Sequence, residues 1–99
     1  MIQYIFTVFD SAAKAFLEPF FAPTTESALR SFRQVVNKEG HQFNQFPEDY
    51  TIFLIGTFDQ QTGIITPENP TSLGVAITFI EGRPVVQPDA FTNGDTPNG

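Results

Sequence analysis

Two runs of eight residues, IQYIFTVF (residues 2–9) and TIFLIGTF (residues 51–58), constrain this chain more than anything else in it. Both are built from β-branched and aromatic side chains, and both stay apolar on either face when read with a period of two. That marks two strands, the first of them central in its sheet or covered. In the first run Ile2, Tyr4, Phe6 and Val8 share one face and Gln3, Ile5, Thr7 and Phe9 the other. Strict alternation in the second sets Ile52, Leu54 and Phe58 against Phe53 and Ile55, and Gly56 in its middle predicts a bulge or a close backbone approach. Neither run approaches the ~18–20 residues of a membrane span. A chain of 99 residues has room for one core, burying roughly 60–70% of its unfolded surface.

The remaining segments arrange themselves around this pair. Asp10 and Ser11 open a turn into an extended segment, Ala15 to Ala22, which Pro19 demotes to an edge or irregular strand. Pro23-Thr24-Thr25-Glu26 starts a helix over residues 25–38: a Thr hydroxyl can accept from the first free amides, and Glu26 suits the positive end of the dipole. Ala28, Leu29, Phe32, Val35 and Val36 form its apolar stripe, and Gly40 follows as a stop. Residues 41–50 show no period and read as a loop. Asp59 to Gly63 reads as a hairpin connection with an Asx-type turn at Asp59, leading into a short third strand, 64–66, ended by Pro67 to Pro70. Residues 73–80 fit either period, and Thr71-Ser72 before them favours a short helix. The expected fold is α+β: a small antiparallel sheet with one principal helix packed on it, forming a single domain over residues 1–87. A disordered, acidic tail is expected over residues 88–99.

Composition removes most catalytic chemistry. There is no Cys, hence no disulfide, thiolate nucleophile or Cys-ligated zinc. The one His, His41, sits in a polar stretch and reads as a solvated imidazole, and no GxSxG, GxGxxG or GxxxxGK[ST] pattern occurs. Glu48 and Asp49 precede the second strand run and Asp59 follows it, so a straight strand holds them ~25 Å apart. The expectation is no enzyme, no metal and no cofactor. The N-terminus has neither the basic region nor the apolar length of a signal peptide, so an intracellular protein is expected.

Binding is what remains. The formal charge is −6, from 11 acidic and 5 basic residues, yet 7 of the acids lie from residue 48 onward. Four of the five bases, Lys14, Arg30, Arg33 and Lys38, precede residue 40. Arg30 and Arg33, three apart on a helix, can form a small basic patch, or Arg30 can simply pair with Glu26 one turn earlier. Twelve Phe and no Trp exceed what one small core comfortably hides, so some rings should cross a subunit interface or act as stacking platforms. Tyr4, Phe20, Phe21, Phe43 and Phe46 are the candidate stacking rings, to be combined with the four cations as single-strand binders combine them. Strands apolar on both faces also predict a homo-oligomer, with a dimer favoured.

The segments FLEPFFAPTTESALRSF, FPEDYTIFLIGTFDQQTG and ITPENP, after a strand closing in Phe-Asp, resemble the small nonstructural protein of the gokushovirus branch of the Microviridae. Those are tailless phages with circular single-stranded DNA. The resemblance is strongest over Pro47-Glu48-Asp49-Tyr50, Ile55 to Asp59 and Thr62-Gly63, and it spans residues 2–70. It implies a non-virion, DNA-binding protein made in the host cytoplasm during infection. Its part would lie in genome replication or in the switch to packaging, with no cofactor. The alternative is an adaptor that binds a replication or procapsid protein without touching DNA.

Overall fold

Strand β1 (Ile2–Asp10) runs antiparallel to a ten-residue strand, Tyr50–Asp59, along its whole length, in a computed structural model that describes residues 1–82. Short strands β2 (Ala15–Phe16) and β3 (Phe20–Ala22) share the outer edge of β1. Strand β4 (Tyr50–Asp59) is the second central strand, and β5 (Ile65–Val75) pairs with its far edge. The five strands make one antiparallel sheet in the order β2-β1-β4-β5, with β3 beside β2 on β1. Helix α1 (Thr25–Val36), a single helical turn α2 (Gln42–Gln45) and a 3₁₀ turn (Ala76–Phe79) complete the described chain. This is the expected α+β architecture. The expected domain end at residue 87 and the tail over 88–99 lie outside the described residues.

One face of the sheet is closed by α1. Tyr4, Phe6, Val8, Ile52 and Leu54 point to it and meet Ala28, Phe32 and Val36, the stripe that helical spacing predicts. Phe6, Ile52 and Val36 are the largest fully buried side chains. The helix begins as its sequence dictates: the Thr24 hydroxyl accepts from Ser27 N at 3.0 Å, and Ser27 Oγ accepts in return from Thr24 N at 3.3 Å. It stops two residues before Lys38, because Asn37 caps it instead of Gly40. Asn37 Nδ2 donates to Arg33 O at 2.8 Å and to Phe79 O at 2.9 Å, while its Oδ1 accepts from Glu81 N at 2.6 Å. One side chain thus joins the end of α1 to the 3₁₀ turn, a contact across more than forty residues that local spacing does not reveal.

Three local expectations change. Residues 41–50 are no bare loop, since His41 caps α2 through Nδ1, which accepts from Phe43 N at 3.0 Å. The imidazole also lies edge-on to Phe43 at 4.7 Å, so it is a half-buried structural group and not a solvated one. Strand β5 continues to Val75 through both Pro67 and Pro70. It tolerates them because it is an edge strand and because the register slips between Leu54 and Gly56 and again between Ile52 and Phe53, looping residues 68–70 out of the ladder. The short helix after Thr71-Ser72 is then only the 3₁₀ turn at residues 76–79.

The third change matters most for function. The β1–β4 register also shifts between Ile5 and Phe6, leaving Ile55 as an extra residue on β4. Past the bulge the alternation inverts: Phe58 sits opposite Gln3 and packs edge-on against Phe21 at 5.7 Å, on the face away from α1. Gly56 follows the bulge where β5 crowds in, as its position predicted. A Cβ there would stand 2.6 Å from Thr66 O, a backbone atom with little freedom to move. Gly56→Ala is expected to lower stability by roughly 2 kcal/mol, the cost typical of overpacking, read as a reduced urea midpoint; an unchanged midpoint would contradict the close approach.

Candidate nucleic-acid interface

The four cations are all solvent-exposed. Lys14 stands at the end of the β1–β2 turn, in the left-handed backbone region at φ 57°. That turn is held by Asp10 Oδ1, which accepts from Ala12 N and Ala13 N. Arg30 projects from the solvent side of α1 and makes no ion pair among the described residues, so the Glu26 partner that helical spacing offers is not engaged. Arg33 is held: its Nε lies 3.5 Å from Glu81 Oε2 and its guanidinium 5.6 Å from the centre of the Phe79 ring. Both ends of this pair are well solvated, which limits it to about 0–1 kcal/mol. Lys38 follows the helix, where its carbonyl accepts from His41 N at 3.1 Å.

The five candidate rings divide. Phe43 is buried in the core between Phe32, His41 and Tyr50 and offers no face for stacking. Phe20 stacks on Phe6 at 5.6 Å, and Tyr4 packs against the same cluster, so both serve mainly to close the helix-covered side. Phe46 and Phe21 are exposed, at 57% and 51%. Phe46 ends α2, which Asn44 Nδ2 ties to α1 by donating to Val36 O at 2.9 Å. Phe46 therefore follows a turn anchored to the C-terminal end of α1, the end that Lys38 follows and whose last turn carries Arg33. Phe21 lies on the opposite face of the sheet.

That opposite face carries the rings that spacing alone did not assemble. Phe9 packs on Phe16 at 4.8 Å and Phe16 on Phe53 at 5.6 Å, and beyond them lies the Phe21–Phe58 pair. The signal was present in the alternate positions of the two strand runs, but the bulge at Ile55 hid the place of Phe58. No helix covers this face among the described residues. Nor do three His, Asp or Glu side chains converge there into a metal-holding group.

At the base of the α2 corner Tyr50 is buried, with its hydroxyl 3.3 Å from Gln42 Oε1. Burial raises its ionisation above the usual 10.0, and the nearby carboxylates of Asp10 and Asp49 add to the effect.

A family profile described as "Phage ORF5 protein" matches residues 3–79, which takes in every helix and all but the first residue of the described strands. That makes this a bacteriophage protein. The chain belongs to the Phage ORF5 protein family, and the match runs on past Pro70 to the end of the 3₁₀ turn. No curated protein and no solved structure matches it significantly.

The raised Tyr50 ionisation sets a sign for alkaline stability. Above pH 10.0 the unfolded chain loses the phenolic proton while the folded chain keeps it, so stability present below that pH falls as pH rises. Thermal melts between pH 9 and 11 should show a steeper loss for the wild type than for Tyr50→Phe, and parallel curves would contradict this.

Proposed function

We propose that this phage protein is a nonstructural single-stranded DNA-binding protein of a gokushovirus-type phage, acting in genome replication or in the switch to packaging. The observation that carries the reading is the set of exposed cations on and just after α1. Arg30 is free of ion pairs among the described residues, Arg33 and Lys38 are exposed in and just after the last turn of α1, and the exposed Phe46 ring ends the α2 turn that Asn44 ties to that end of the helix. Cations track a phosphate backbone, and an open ring beside them supplies sequence-tolerant stacking. Lys14 adds a further exposed charge from the β1–β2 turn. The net charge of −6 limits the affinity, because the chain's acids repel phosphate, while the salt dependence comes from the phosphates that its cations neutralise.

The second reading, an adaptor for a replication or procapsid protein, is favoured by that same acidic balance. The two separate in one titration. Fluorescence anisotropy of a labelled oligo(dT) at low ionic strength should show binding that weakens with salt. Arg30→Ala combined with Arg33→Ala should lower affinity roughly tenfold and flatten the slope of log K against log salt by about 1.4, at ~0.7 for each phosphate no longer neutralised. No anisotropy change for the wild type would leave the adaptor reading. Glu81→Gln releases Arg33 from its partner and removes one repelling charge, so it should tighten the same titration two- to fivefold; weaker binding would show that the pair positions Arg33 for the phosphate.

A further inference from the structure

We propose that the sheet face turned away from α1 is a homodimer interface, and that Phe21 of each copy enters a trough on the other. The first ground is charge. Glu68 in the looped-out segment 68–70 aside, none of the strand residues directed to this face by the pairing register is charged, although the chain carries a net −6. A phosphate backbone finds no cation among them, and an acidic or basic protein finds no complement. A second copy of this chain can approach with its carboxylates kept at the rim.

The second ground is area. Four strand positions at ~4.8 Å and about ten residues at ~3.3 Å give a projected patch of roughly 600 Å². That is below the ~800 Å² per partner of a standard stable interface, but Phe16, Phe21 and Ile65 rise from it half-exposed, at 50%, 51% and 56%, and add to what a second copy can cover. A patch of this size stands at the upper end of what a monomer leaves in water, where such patches are often functional.

Shape supplies the third ground. The looped-out residues 68–70 and the β2–β3 connection raise two proline walls, Pro70 and Pro19, on either side of Thr7 and Ile55. Between them lies an apolar trough of about 370 Å³. Thr7 Oγ1 donates to Leu17 O at 2.7 Å, so its hydroxyl is already satisfied and the floor makes no polar demand. Phe21, half-exposed, stands beside this trough on the neighbouring stretch of the same face. A two-fold axis lying parallel to the sheet between ring and trough brings each Phe21 onto the partner's trough, the self-complementary contact that a C2 dimer requires.

The inference is independent of DNA and is tested without it. Sedimentation equilibrium of the full chain at 5–200 µM should give twice the 11.0 kDa monomer mass. Phe21→Lys should shift the protein to monomer, with at least a tenfold rise in dissociation constant and an unchanged far-ultraviolet circular dichroism spectrum. Phe46→Lys, at an equally exposed ring off this face, should leave the dimer intact. If Phe21→Lys fails to fold, Ile65→Lys, exposed on the same face, provides the same reading. A monomer mass throughout overturns the proposal, whether DNA, residues 83–99 or another protein covers the face. So does a dimer that survives both charged substitutions on it.

Discussion

The pairing of β1 with β4 is the constraint on which the rest of the molecule depends. Among the described residues these two strands alone have a partner on both edges, and they supply five of the eleven buried hydrophobic side chains, Ile5, Phe6, Val8, Tyr50 and Ile52. The pairing is not uniform. One extra residue at Ile55 breaks the register, and β5 must slip twice to follow it. Everything on the far side of that bulge, Phe58 above all, takes its face from this single insertion.

On the helix-covered side, stability comes from apolar contact, but position comes from a few polar side chains. Asn37 joins the end of α1 to the 3₁₀ turn, Asn44 ties α2 to α1, and His41 caps α2 while packing on Phe43. Each satisfies backbone groups that helix ends leave unpaired. Together they fix α2 and the 3₁₀ turn against the C-terminal end of α1, the end that carries Arg33 and Lys38. The described structure thus has two unlike surfaces: the C-terminal end of α1 with its exposed cations and the α2 turn tied to it, and an aromatic sheet face. We assign nucleic acid to the first and a second copy of the chain to the second, because phosphate needs counter-charge and two acidic copies need its absence.

Legibility differed by the range of the interaction. The α1 stripe, its Thr24 cap and the Asx turn at Asp59 rest on contacts within a few residues, and spacing shows them, while Gly56 stood out as a glycine inside a strand run although its close neighbour is Thr66 on β5. The fate of individual rings was less readable. Phe43 and Phe46 are three residues apart in one polar stretch, yet the first is core and the second exposed. The difference lies in α2, whose cap and anchors come from His41 and from α1. Arg33 likewise looked equivalent to Arg30 until the chain returned forty-odd residues later with Phe79 and Glu81 beside it.

By itself the sequence determined the α+β class, the central strand pair, the principal helix and the segregation of bases into the first half of the chain. Those follow from periodicity, local capping chemistry and simple order along the chain. Only the tertiary structure decided which rings face solvent, which cations are held by partners and that β5 passes through two prolines. A one-residue bulge inverts alternation without any change in composition, and an edge position forgives a missing amide only once the neighbouring strand is in place.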